Sequence, residues 1–171
     1  TPITDSSIER VPNVKISGYT DEQCSIIQQQ HKELLRYSRD NNEGKEVAFV
    51  FDSELNNRKE FKGSDDKLDF GSALYGKELF VMHNHPRNSS YSDRDIQFII
   101  GNDNVKTLSI IKNNGNIETL TKSDIYDKGR ALVELKRCYK KYVKHGTDEE
   151  INKAVNSFLK DNKGLFEWIK T

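Results

Sequence analysis

The sequence predicts an α+β protein in which a mixed β-sheet carries helices, and three observations point that way. Short runs rich in β-branched and aromatic residues, at 46–52, about 58–62, 78–84, 107–111 and 117–121, have strand length and are bounded by turn residues. Stretches at about 20–39, from 92 onward and from 123 onward place apolar residues three and four positions apart, the period of a helix. The two kinds of segment are interspersed along the chain, so helices and strands are expected to share one core.

Each element has a local reason. Residues 1–18, with Pro2 and Pro12, read as an irregular arm. A helix from Thr20 to about Arg39 carries Asp21 and Glu22 in its first turn and Ile26, Ile27, Leu34 and Leu35 as its apolar positions. Its many glutamines and charges predict packing on one side only, and His31 is expected at its surface. Glu46 opens the strand at 46–52, Glu54 and Glu60 flank a turn before the strand at 58–62, and a short helix is expected near 66–76. The strand at 78–84 ends near Pro86, which cannot continue a ladder. Ser92 fits the N-cap of a helix carrying Ile96, Phe98, Ile99 and Ile100. Asn113-Asn114-Gly115-Asn116 between 107–111 and 117–121 signals a hairpin. From Ser123 the chain is read as helical. Leu132, Leu135, Tyr139, Tyr142 and Val143 mark one helix ended by Gly146, where His145 reads as a helix-end residue. Thr147 and Glu150 make a capping box for a last helix with Ile151, Val155, Phe158 and Leu159. The expected division is an arm over 1–18, a core over 19–121 and a helical extension over 122–171.

Composition narrows the class. At 171 residues the chain can bury a core, and 34% hydrophobic against 32% charged residues describes a polar globular protein rather than a disordered one. Lys and Arg number 27, as do Asp and Glu, so no global charge draws the chain to nucleic acid or an acidic membrane. No apolar run has the length of a membrane span and no signal-peptide pattern is present, so a cytoplasmic protein is expected. Cys24 and Cys138 are far apart and lack a Cys-x-x-Cys partner, which argues against a disulfide scaffold, a zinc knuckle and the zinc deaminases. Thr1 in first place and Met82 as the only methionine suggest a domain cut from a longer polypeptide.

The chemistry-bearing cluster is His83-Asn84-His85-Pro86 with Ser92-Asp93-Arg94-Asp95, all within thirteen positions. Side chains two apart on a strand share a face, so His83 and His85 project together at a strand end. Asp95 falls in the first turn of the helix that Ser92 caps, so the strand end and the helix start are expected to meet there. Imidazole nitrogen and carboxylate oxygen are zinc donors, and a catalytic zinc keeps three protein ligands with a fourth position for water, whose pKa falls to about 7. His83, His85 and Asp95 supply such a set.

This cluster resembles the JAMM motif of the JAB/MPN family of zinc metallopeptidases, which has an upstream glutamate, His-x-His, a spacer and Ser-x-x-Asp. The nearest version is the bacterial RadC-like branch, with the same His-Asn-His-Pro tetrapeptide after a similar strand. Glu46-Val47-Ala48-Phe49-Val50-Phe51-Asp52 resembles the glutamate-bearing strand, and Phe61-Lys62-Gly63 the end of the next, so the likeness covers roughly Glu46 to Thr121. Six residues separate His85 from Ser92, one fewer than is usual in the family, which bears on the aim of Ser92. The resemblance implies a three-layer α/β/α architecture of the JAB/MPN, cytidine-deaminase-like type with added N-terminal and C-terminal helices. It implies Zn2+ held by His83, His85 and Asp95, Glu46 as the general base that moves the proton, and Ser92 as the oxyanion donor. The implied activity is hydrolysis of an amide bond on a peptide or protein, by a metallopeptidase or isopeptidase of bacterial or phage origin.

A second function class remains: a non-catalytic interaction or nucleic-acid-associated module. Between residues 122 and 144 eight Lys/Arg stand against three Asp/Glu. Lys136, Arg137, Lys140, Lys141 and Lys144 interleave with Tyr139 and Tyr142, a pattern that suits an acidic partner as well as a solvated helix face.

Overall fold

The computed structural model describes residues 1–64, 70 and 74–171. Its elements run α1 (Asp5–Glu9), α2 (Asp21–Asn41), β1 (Val47–Phe51), β2 (Lys59–Lys62), β3 (Leu79–His85), α3 (Asp93–Gly101), β4 (Val105–Lys112), β5 (Ile117–Lys122), α4 (Lys128–Tyr142), α5 (Asp148–Asp161) and β6 (Phe166–Lys170). The strands form one mixed sheet in the order β2-β1-β3-β4-β5-β6. Among the described residues only β3 and β4 pair in parallel, and α3 is the crossover between them. The helix expected near 66–76 lies outside the described residues.

Alternation along the strands sends successive side chains to opposite faces, and each face buries its own cluster. On one, Phe49, Phe80, Met82, Ile111 and Ile117 pack with Leu34 and Leu35 of α2. On the other, Val50, Val81, Leu108 and Leu120 pack with Ile96 and Ile99 of α3, Leu135 of α4 and Phe158 of α5. The result is a sheet between two helical layers, as an α/β/α reading requires. The two cysteines are buried and free, Cys24 in the first cluster and Cys138 in the second, so the sheet separates them.

The local signals worked where a cap defined an end. Thr20, Ser92 and Thr147 are the N-caps of α2, α3 and α5, each in a reciprocal capping box. Three expectations need correction. The arm over 1–18 is not irregular throughout: Thr4 caps α1, and Ile3, Ile8, Val11 and Ile16 are buried against the α2 layer. The hairpin at Gly115 closes on this segment, since its φ of +94° suits glycine and a Cβ there would lie 2.4 Å from the Ser7 carbonyl oxygen. The extension over 122–171 is not wholly helical. Phe166–Lys170 forms β6, which extends the sheet beside β5, while α4 and α5 cover the same core as α3, so this region completes the domain rather than adding to it. Finally, His31 is fully buried under α2 rather than at its surface.

Candidate metal centre

The site forms where β3 ends and α3 begins, outside the carboxyl end of a parallel strand, a position where open α/β sheets commonly bind ligands. His83 and His85 lie on the face of β3 that α3 covers, together with Val81. In the antiparallel register Ala48 opposes His83, so Glu46, two residues earlier and just before β1, shares that face. Asn84 points the other way. Its side-chain oxygen accepts from Val47 N at 2.8 Å and its amide donates to Asn113 at 2.9 Å, tying β1, β3 and the β4–β5 hairpin together at the level of the histidines.

Both imidazoles are held by backbone carbonyls. His83 Nδ1 donates to the Ser109 carbonyl at 2.9 Å and His85 Nδ1 to the Ser89 carbonyl at 2.8 Å. Those bonds fix the tautomers, leaving each neutral ring with its lone pair on Nε2, as in metal-binding histidines generally. The two Nε2 atoms then face each other at 2.9 Å. Two lone pairs at that separation repel unless a cation or a proton lies among them.

Carboxylates surround the pair. Asp95 brings Oδ1 to 3.1 Å from His83 Nε2 and Oδ2 to 3.3 Å from His85 Nε2, while Glu46 Oε1 stands 4.0 Å from His83 Nε2. The capping box aims Asp95: Ser92 Oγ accepts from Asp95 N at 3.2 Å, and Asp95 Oδ2 accepts from Ser92 N at 2.9 Å. Burial opposes a charge on His83, but the Asp95 and Glu46 carboxylates outweigh it and displace its pKa upward. Burial likewise acts to raise the Asp95 carboxyl, and the neighbouring His83 and His85 outweigh it, holding the group well below the usual carboxylate range. The site is built to contain positive charge.

Glu46, His83 and His85 form a buried group whose ligand atoms all lie within 4.8 Å of one another and which could hold a metal ion. Asp95 approaches His83 more closely than Glu46 does, so two overlapping trios share the histidines. Donors about 2.0–2.1 Å from one tetrahedral ion lie about 3.3–3.4 Å apart. The His–His and His–Asp95 separations are close to that edge, and a slight expansion would complete it; the 4.0 Å to Glu46 exceeds it.

A cavity of about 320 Å³ opens over the cluster. Ser92, Arg87 and Arg94 contribute to its polar lining, and Val81, Phe98 and Leu108 to an apolar wall. Thus Glu46, His83, His85, Ser92 and Asp95, all singled out in the sequence, meet at one place. Ser109 and Ser89 were not foreseen, because they act through main-chain oxygens that carry no side-chain signal. Nor was the buried Lys112–Glu118 pair beneath the 86–92 loop, at 3.0 Å, whose Glu118 Oε1 also accepts from Ser90 Oγ and Trp168 Nε1. Elsewhere, Glu78 is exposed at the loop before β3, and His145 is exposed beyond α4. On α4, Arg137 pairs with Glu134 and Asp161, and Tyr139 and Tyr142 are half-buried against the core rather than presented for stacking. Among the described residues no helix is long and apolar enough to cross a membrane. Compared with known protein families, curated proteins and solved structures, the chain matches none.

Proposed function

We propose that the chain is a zinc-dependent amide-bond hydrolase, a metallopeptidase or isopeptidase acting on a peptide or protein substrate. One observation carries the reading: two tautomer-fixed imidazole nitrogens converge at 2.9 Å beside the half-buried Asp95 carboxylate, at the floor of an open cavity. In this reading His83, His85 and Asp95 hold the ion. Zinc bound there would lower the pKa of a water to about 7 and polarise a substrate carbonyl.

The remaining roles belong to the protein. Glu46, too far from His83 for the ligand edge yet within reach through one water, takes a proton from the attacking water and returns it to the leaving amine as the C–N bond breaks. Ser92 Oγ accepts from Asp95 N, which leaves its own hydrogen to donate to the oxyanion that develops on the carbonyl oxygen. The JAMM resemblance of the same five positions supports this assignment. So does the absence of a cysteine from the site, which leaves no thiol nucleophile to compete as an explanation. Metal-loaded protein should cleave peptides in a reaction abolished by chelation and restored by zinc, while Glu46→Gln should keep the metal and lose turnover. Turnover that persists in metal-depleted protein would refute the proposal.

A further inference from the structure

The walls of the cavity say something about what enters it. The chain has eight arginines. Arg36, Arg39, Arg58 and Arg137 pair with carboxylates, and Arg10 donates to the Asn114 carbonyl. Arg87 and Arg94 both line the cavity, both are exposed, and neither guanidinium makes a hydrogen bond or ion pair with another described residue. Arg94 is also placed against local preference, in the first turn of α3, where the helix dipole favours anions and disfavours a cation. Helix stability therefore gives no reason for it.

Among the described residues, the acids of the cavity do not neutralise these two charges. Asp95 is committed to the histidines, and Glu46 faces His83 from the neighbouring strand at 4.0 Å. With a dication on the histidines the described lining stays positive, and its low-dielectric wall of Val81, Phe98 and Leu108 strengthens the field. A planar guanidinium matches a carboxylate with two parallel hydrogen bonds. We propose that Arg87 and Arg94 form a carboxylate subsite, so that the substrate carries a carboxylate beside the amide to be cleaved. This rests on the hydrolase reading for the amide, but the subsite itself does not need turnover to be seen. The carboxylate can belong to an acidic side chain or to the free end of a chain, and the two sources can be separated.

Zinc-loaded full chain is titrated by calorimetry with N-acetyl-aspartate amide against N-acetyl-asparagine amide, and with N-acetyl-alanine against its amide. The first pair reads an acidic side chain, the second a chain terminus. In at least one pair the acid should bind about 10- to 100-fold more tightly, and the ratio should collapse toward one in the Arg87→Ala/Arg94→Ala protein. Arg130→Ala, which removes an exposed arginine that pairs with no described residue and is not part of the cavity's described lining, should leave the ratio as it is. Equal binding of acid and amide in both pairs overturns the subsite. So does a preference that survives loss of both arginines, which would assign the carboxylate to the metal alone. A digest of a peptide mixture adds the link to catalysis. Cleavage with acids enriched at one position, lost in Arg94→Ala, supports it; cleavage without enrichment overturns it; no cleavage counts against the hydrolase reading and leaves the calorimetric result to decide the subsite.

Discussion

Replacing Asp95 separates the two trios that share the histidines, because its carboxylate does structural and metal-binding work at once. Asp95→Asn keeps an oxygen that can accept from Ser92 N, and keeps the backbone N–H that donates to Ser92 Oγ, so the capping box of α3 largely survives. What is lost is the charge: favourable interaction with the helix dipole, worth about 0.3–1 kcal/mol, and the contacts at 3.1 and 3.3 Å to the two Nε2 atoms. In chelator the dipole term alone should lower Tm by about 1–4 °C, and loss of the contacts to the histidines adds to that. Zinc is different. A ligand at a hundred times its Kd stabilises the folded state by about 2.7 kcal/mol, which raises Tm by about 5–10 °C in a protein of this size. Wild type should show that rise, and Asp95→Asn should lose most of it. The assay is thermal denaturation followed by circular dichroism, with and without zinc. A full zinc-dependent rise in Asp95→Asn would refute the ligand assignment and give the third position to Glu46.

Other consequences follow from the same geometry. Glu46→Gln should retain the zinc-dependent rise in Tm while peptide hydrolysis falls by about 10²–10⁴-fold, as read by product formation at saturating metal. His31 is buried with its Nε2 on Ser109 Oγ at 2.8 Å, and burial pulls its pKa down to about 3. Unfolded, it takes a proton below about pH 6.5 that the folded state refuses, so its contribution is full above that pH and is lost as pH falls toward the folded value. Urea unfolding should show wild type losing about 2 kcal/mol more than His31→Leu between pH 7 and pH 5; parallel pH profiles would contradict this. Glu118→Ala leaves Lys112 buried without its anion, at a cost of about 3–5 kcal/mol, and frees Ser90, so chemical denaturation should shift strongly, whereas Lys112→Met/Glu118→Leu should recover much of the loss.

The fold was readable where a cap or turn residue adjoined a clear periodic run. Thr20, Ser92 and Thr147 are caps whose side chains take up otherwise unpaired helix N–H groups, and Gly115 marks a hairpin turn. Elements too short to show a period were lost, even where, as with Thr4 before α1, a cap was present. Helix α1 is five residues long and held by burial of Ile3 and Ile8, and β6 is a short Phe-Glu-Trp-Ile-Lys run whose strand character comes from pairing with β5. His31 was misplaced because helical period predicts which face a residue occupies and says nothing about whether a buried polar partner such as Ser109 awaits it. The donors of the site could be found because His-x-His at a strand end and Ser-x-x-Asp at a helix start are both local patterns. Their support could not, since the carbonyls of Ser89 and Ser109 and the Lys112–Glu118 pair reach the site through tertiary contacts.

The central claim is that the histidine pair holds a metal, and metal content tests it most directly. Elemental mass spectrometry of protein purified without chelator should find about one zinc per chain, falling to background in His83→Ala and His85→Ala. Protein that contains no zinc, and takes up none by calorimetry at neutral pH, would contradict the account.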